Sequence, residues 1–403
     1  MAHSSPPWLV SDSTTSARNW LVPDTGSSDL WIPVADFQCV DQEGSDVSQE
    51  ACNLGLKYHV PDSTEYVANQ TFGVKYGTGI ALGKVAYADV TVNGITAKRQ
   101  KIGLVDRTND VGDGIGSGIF GLGFPALTSA HPGTTLDNET LLFNRAVYDP
   151  VFVSMYKQGL IEPWYSFAIN RPLKNTTTGP GGWFGLGELP PVAYADDWAV
   201  KKIEATSGLP DELTQGRREI SLMTLTVDGM TWKNPTSNYT ATNTTSFQAV
   251  VDTGNHMNLV PSAIATAIND AFSPPGIFNE TLHVYVVDCN ATTPEVGVIL
   301  DGKTFWHKLP EDLIYHDASG ICYSSFAPTA EEAGLVLNFL GDAFLRTVVA
   351  VLDFGKEEMR FAARLGDADG EPPVFEGAAV PNSNLSWLCI CLVSAMVWFL
   401  FFM

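Results

Sequence analysis

The sequence predicts an all-β chain with few short helices, folded as two lobes of similar plan with a cleft between them. Three observations carry this. The body consists of short β-type segments punctuated by turn residues, with few helical runs. It holds an internal repeat, in which Val22-Pro-Asp24-Thr25-Gly26 is answered by Val250-Val-Asp252-Thr253-Gly254. Each copy is followed by an apolar-apolar-Gly step, Ile119-Phe120-Gly121 and Phe339-Leu340-Gly341, 97 residues (24 to 121) and 89 residues (252 to 341) downstream.

The repeat sets the expected organisation: an irregular amino-terminal segment over 1–20, one lobe over 21–185, a second over 186–365, a stalk and attachment region over 366–386, and an apolar tail over 387–403. Within the lobes, Asn93-Gly94 between two β runs reads as a hairpin turn, and so does Asp228-Gly229. A helix is expected within 140–157 and another within 261–272, where Ile264, Ala267 and Ile268 share a face. The stretches 173–181 and 234–246, rich in Asn, Thr, Ser and Pro, read as loops.

Composition narrows the function classes. With 45% apolar and 17% charged residues the 403-residue chain can bury a sizeable core, which excludes a mainly disordered protein. Lys and Arg number 23 against 45 Asp and Glu, a net charge of −22 that repels phosphate backbones and excludes nucleic acid as a partner. The seven His and six Cys form no C-x-x-C, H-E-x-x-H or H-x₃-H spacing, so no metal and no cofactor is expected.

Four cysteines lie in the body, 39 and 52 close together and 289 and 322 further apart, an even count that suits disulfides in an oxidising compartment. Asn69, Asn138, Asn175, Asn238, Asn243, Asn279, Asn290 and Asn384 each head an N-x-[ST] triplet, which is the pattern of a glycosylated protein of the secretory pathway. Residues 1–20 show no basic segment followed by an apolar run, so the expectation is an incomplete start. From Trp387 the last 17 residues carry no charge and would make a helix of about 25 Å against a hydrocarbon core of about 30 Å, without basic flanks. Small residues at Gly377, Ala378 and Ala379, a polar spacer and this tail form a lipid-attachment pattern with Gly377 as the attachment residue; a tail helix in the membrane is the alternative.

The repeated Asp-Thr-Gly suggests a reaction. Two carboxyls held about 3 Å apart cannot both ionise and so share a proton. One can then act as base on a water between them while the other donates to a substrate carbonyl. Gly26 and Gly254 would let the neighbouring backbone approach the carboxylates, and Thr25 and Thr253 could hydrogen-bond across the junction.

Asp24-Thr-Gly-Ser-Ser-Asp-Leu-Trp31 together with Val251-Asp252-Thr-Gly resembles the pepsin-type aspartic endopeptidases. Val74-Lys-Tyr76-Gly77-Thr78-Gly79 resembles the family's flap, whose Tyr covers the substrate, and Trp31 matches the Trp that bonds this hydroxyl. Gly118-Ile-Phe-Gly-Leu-Gly and Leu340-Gly-Asp-Ala-Phe-Leu-Arg346 match the strands behind the catalytic loops. The resemblance, over Leu21 to Arg364, implies a bilobal pepsin-like fold and a monomer acting on polypeptides. It implies Asp24 and Asp252 as the catalytic pair, with Thr25, Gly26, Ser27, Thr253, Gly254 and Asn255 supporting their loops. It implies Tyr76, Gly77, Thr78, Trp31 and Phe120 at the flap and substrate, and the disulfides Cys39–Cys52 and Cys289–Cys322. With its tail, the chain is similar to the GPI-anchored fungal members, placing it on the outer membrane face or cell wall.

Four positions depart from that pattern. Pro23 stands before the first Asp, Asn255 and His256 stand where the family has Thr or Ser, and Ser117 replaces an Asp. Asn255 is expected to donate its amide to the Asp252 carboxylate. Pro23, Asn255 and the incomplete start define the alternative, an impaired homologue that binds peptides in the same cleft. Three other readings are set aside. Gly116-Ser-Gly118-Ile-Phe-Gly121 matches G-x-G-x-x-G but runs into Pro125 instead of a helix. His256 is read as a polar wall residue, since no serine or cysteine nucleophile motif accompanies it. Asp342 and Asp353 are read as structural residues at strand ends.

Overall fold

A computed structural model describes residues 9–12 and 18–365, apart from 78, 110–111, 113–114, 137–140, 142–143, 172–180, 208, 210–218, 238, 318 and 330–335. The internal repeat folds into the same three-strand device twice. In the first copy, strand Val22–Asp24 runs parallel to Ile119–Gly121, with Asp24 opposite Gly121, and Leu30–Val40 starts antiparallel to the latter. In the second, Phe247–Val251 runs parallel to Asn338–Leu340, and Asn258–Val260 crosses antiparallel at Leu259 and Phe339.

The apolar-apolar-Gly step recurs because each Asp-Thr-Gly loop folds back over it. A Cβ on Gly121 would overlap the Ser28–Asp29 backbone, and one on Gly341 would overlap the carbonyls of Asn255 and Met257. Both positions therefore demand glycine for close approach of backbone.

Around these cores lie a ten-stranded sheet in the first lobe and sheets of five, four and four strands in the second. A five-stranded sheet takes strands from both halves of the sequence: Trp164–Ile169, Gly182–Leu186, Ala199–Lys202, Val348–Asp353 and Glu358–Ala363. Aromatic rings fill the space above it. Phe152 meets Tyr165 at 4.8 Å and Phe354 at 5.0 Å between ring centroids, and the Tyr165 hydroxyl donates to the Leu122 carbonyl (2.9 Å) just behind the Asp24 loop. A buried bidentate pair, Arg171 on Asp312 (2.6 and 2.9 Å), joins distant parts of the chain with good geometry. The first Asp loop thus rests on a packed aromatic floor, which limits how far its carboxylate can wander.

Several expectations are met and four are corrected, one of them the loop expected over 234–246, within which Thr240–Asn243 is a strand because its backbone pairs with Gly229–Lys233. Asn93 and Gly94 both have positive φ (51° and 79°) and close the hairpin between Ile80–Val92 and Ile95–Thr108. Asp228-Gly229 is not a hairpin. Thr224–Val227 pairs with Phe247–Val251, whereas Gly229–Lys233 pairs with Thr240–Asn243 and Glu295–Leu300 in another sheet. Asp228 has no positive φ; its carboxylate accepts from Lys201 Nζ (2.7 Å) and Asp301 N (2.6 Å), which pins a corner between sheets.

Among the described residues the helix expected within 140–157 covers Val151–Lys157, because Pro150 disfavours helical geometry at Asp149. The other predicted helix is Ser262–Asp270, buried through Ile264, Ala265 and Ile268. The segment 1–20 is not wholly irregular. Leu9–Asp12 pairs with Arg18–Trp20 and with Val90–Val92, extending the first-lobe sheet.

Cys39–Cys52 and Cys289–Cys322 are both bonded, closing loops of 13 and 33 residues. Among the described residues no helix is long and apolar enough to cross a membrane. The expected attachment residue Gly377, Asn384 and the apolar tail lie outside the described residues, as do Asn138, Asn175 and Asn238.

Candidate active site

Asp24 ends one repeated strand, Asp252 directly follows the other, and the two meet where the loops cross. Both are buried, and their carboxyls lie within hydrogen-bonding reach of each other. A Cβ on Gly26 would stand 2.7 Å from both Asp252 oxygens, and one on Gly254 would stand 2.5 Å from Asp24 Oδ1. Each loop's glycine therefore packs against the other loop's carboxylate, and only glycine leaves room there. Gly254→Ala should displace the Asp24 carboxylate and lower kcat/KM about 100-fold, by the cost of an ångström-scale misplacement, in a protein whose circular dichroism is unchanged.

Threonines lock the junction. Thr25 Oγ1 accepts from Thr253 N (3.0 Å) and donates to the Val251 carbonyl (2.7 Å). Thr253 Oγ1 accepts from Thr25 N (3.1 Å) and donates to the Pro23 carbonyl (2.7 Å). All four groups are buried, so the lattice holds both Asp backbones with neutral hydrogen bonds shielded from water. Pro23 disturbs nothing in this lattice. It lies on a strand at the end of its sheet order, where a missing N–H breaks no ladder, and it contributes only its carbonyl.

The two carboxyls differ in their donors. Asp24 accepts from Gly26 N (2.8 Å) and from the Ser27 hydroxyl. Asp252 accepts from Gly254 N (2.8 Å). Asn255, expected to donate to it, instead turns its amide oxygen to accept from Met257 N (3.1 Å). Burial raises both carboxyls above the ordinary carboxylate range. Asp24 is drawn back by Ser27 and Gly26, while Asp252 is pushed well above that range by burial and then by the Asp24 charge.

Tyr76 stands at the turn between Glu65–Lys75 and Ile80–Val92, close enough to Asp24 to feel its charge. Its hydroxyl accepts from Trp31 Nε1 (2.8 Å), and burial with the charges of Asp24 and Asp29 keeps it protonated. Gly77 is exposed beside it, and Thr78 lies outside the described residues. Phe120, expected at the substrate, is fully buried with its ring edge-on to Phe184 (6.3 Å). Its neighbour Ile119 takes the opposite face of the strand and packs with Trp31 and Tyr76.

Several residues near the site escaped sequence reasoning. Asp29 is wholly buried and accepts from Ser129 N (2.9 Å) and the Tyr148 hydroxyl, and Tyr148 packs in the cluster that holds Trp31 and Tyr76. Asp342, read only as structural, sits behind Asp252 at the start of the short helix Asp342–Leu345 and donates its N–H to the Asn255 carbonyl (2.7 Å). Burial raises its carboxyl to about 7, against the pull of Arg346. His256 is buried against Tyr315 (4.5 Å between rings), and burial with the Arg346 charge lowers it to about 4, so it stays a neutral wall residue in weakly acidic solution.

Three donors close enough for a metal ion occur among the described residues at Cys289, His316 and Cys322, but two are the halves of a disulfide. The dyad therefore has a buried carboxyl pair and a rigid crossing, which suit a hydrolytic site built on a water.

Comparison with known proteins decides the family. Residues 14–364 match the eukaryotic aspartyl proteases. The chain belongs to that family. This protease is 36% identical over 352 residues to a probable aspartic-type endopeptidase of Aspergillus fumigatus, across 85% of this chain and 75% of that one. It is 27% identical over 361 residues to human gastricsin, across 86% and 79% of the two chains. Its fold is that of the aspartic proteinase of Irpex lacteus, with a TM-score of 0.64 at 19% identity over 90% of this chain and 98% of that structure. The protein is an aspartic-type endopeptidase with a pepsin-like fold, and its reaction is peptide-bond hydrolysis.

Proposed function

We propose that Asp24 and Asp252 are the catalytic pair and that they share one proton. Asp24, ionised, takes a proton from a water held between the carboxyls while Asp252 donates to the oxygen of the scissile carbonyl. The observation that carries this reading is the reciprocal packing of Gly26 on the Asp252 oxygens and of Gly254 on the Asp24 oxygen. Hydrolysis of an unstructured peptide, blocked by an analogue with a hydroxyl in place of the scissile carbonyl, tests it; a preparation that cleaves but ignores the analogue counts against it.

Thr25, Gly26, Ser27, Thr253 and Gly254 hold the pair, and Tyr76 with Gly77 belongs to the flap, to which the sequence pattern also assigns Thr78. Tyr76→Ala should lower kcat/KM roughly tenfold or more with the fold retained, since one hydrogen bond and the cover over Asp24 are lost. Unchanged kinetics would mean that the flap lies elsewhere. The impaired homologue is disfavoured by the accommodation of Pro23, whose carbonyl is used and whose missing donor is not needed.

Activity on the acid side of neutrality follows from a pair that must keep one proton. Passage through the secretory route is supported by the two disulfides and by sequons at Asn69 and Asn290, both exposed, and at Asn243 and Asn279, both half-buried. In this reading the protein is a monomer with lobes over 21–185 and 186–365, glycosylated, and anchored outside the cell by a lipid at Gly377. Release from cells by a phosphatidylinositol-specific phospholipase tests the anchor; a mature chain that keeps its tail would refute it.

A further inference from the structure

We infer that Asn255 is a positioning residue that withholds from Asp252 the side-chain donor Asp24 has in Ser27, and so sets the pH at which Asp252 gives up the shared proton. The inference rests on the shared proton proposed above and adds which residue governs its release. The two loops are superficially alike, and the third residue after each Asp is where they part. Ser27 gives Asp24 a hydroxyl donor in addition to Gly26 N. Asn255 occupies the matching place beside Asp252, and its amide oxygen is committed to Met257 N (3.1 Å). No donation from Asn255 reaches Asp252, which is left with Gly254 N. A donor on a carboxylate favours the ionised form, so two donors against one direct the charge to Asp24.

The surroundings offer Asp252 no counter-charge that would replace the missing donor. Asp24 faces it from the opposite loop, a repulsion that each carboxyl exerts equally on the other, and Asp342 faces it from the helix Asp342–Leu345 with its own carboxyl raised to about 7 and so uncharged at acidic pH. Arg346, at the end of that helix, faces Asp342 and His256. His256, in Asp252's own loop, is neutral above about 4 and offers no counter-charge. Tyr76 and Tyr165, both buried within reach of the Asp24 charge, stay protonated. Asn255 is thus the position at which one substitution can supply the missing donor without touching either carboxyl.

The test is the pH profile of kcat/KM for the full chain and for Asn255→Ser, Asn255→Thr, Asn255→Ala and Ser27→Ala. A hydroxyl at 255 should donate to Asp252 as Ser27 does to Asp24, lowering the pH at which Asp252 loses its proton. The alkaline limb should therefore move to lower pH by about one unit in Asn255→Ser and Asn255→Thr, with the acid limb unmoved. Asn255→Ala, which breaks the Met257 contact but supplies no donor, should keep the alkaline limb of the parent. Ser27→Ala should move the acid limb to higher pH, and it keeps the inference open to refutation if the variants at 255 do not fold. A two-limbed parent whose alkaline limb ignores Asn255→Ser, or moves equally in Asn255→Ala, overturns the role of Asn255. A parent with a single limb overturns the shared proton itself.

Discussion

Asp252→Asn and Asp24→Asn should each lower kcat/KM by about 10⁴-fold or more, the upper range for removing a positioned acid or base. The change is nearly isosteric. Gly254 N can still donate to an amide oxygen at 252, and the threonine lattice holds the backbone without the carboxylates. What is lost is the capacity to exchange a proton, because an amide neither gives nor takes one in the working range. The substitution also removes a buried charge conflict, so the variant should melt no lower than the parent near neutral pH. A variant that is inactive and equally stable assigns the loss to chemistry. Loss of stability together with activity would assign it to the fold.

Stability should fall as pH rises from weakly acidic to weakly alkaline. Asp24, Asp29, Asp252 and Asp342 are all buried, and burial raises each above the ordinary carboxylate range. For such groups the folded chain binds more protons than the unfolded one, so the stability they contribute is full below the unfolded value of 3.8 and is lost as pH rises through the folded value. For Asp342, raised from 3.8 to about 7, the loss is on the order of 4 kcal/mol by mildly alkaline pH. His256 works in the opposite direction. Its folded value of about 4 lies below its ordinary 6.5, so its contribution is present above 6.5 and lost as pH falls through 4. Melting temperatures should peak in the weakly acidic range, and Asp342→Asn should flatten the alkaline slope. A melting temperature that rises steadily from about pH 4 to about pH 8 would contradict the buried, protonated carboxyls.

Much of the site was legible because its chemistry restricts residue types. Only a carboxyl pair can share the proton, only glycine clears the opposite carboxylate, and only glycine at 121 and 341 lets each loop cross. Those needs recur in both lobes and so appear in the chain as a repeat. What stayed hidden depends on direction, not on type. Phe120 and Ile119 are adjacent apolar residues on one strand, and pairing with Pro23 and Leu30 decides which of them enters the core. Asp228-Gly229 has the composition of a hairpin turn, but its flanking strands find partners in two different sheets. Asn255 could be read as a donor because an amide has both ends, and only the nearby Met257 N shows which end is engaged. Asp29 and Tyr148 are 119 residues apart, a distance at which no local pattern announces a contact.

The measurement closest to the central claim is kcat/KM for one peptide from about pH 2 to about pH 8, with the parent protein and a fixed ionic strength. The free enzyme works only with one proton on the pair, so two apparent constants that belong to the dyad should bound its activity. The predicted result is a bell with an acid limb from protonation of Asp24 and an alkaline limb from ionisation of Asp252. A profile that rises to a plateau and stays there through neutrality would contradict it, because the carboxyls would then both be working ionised.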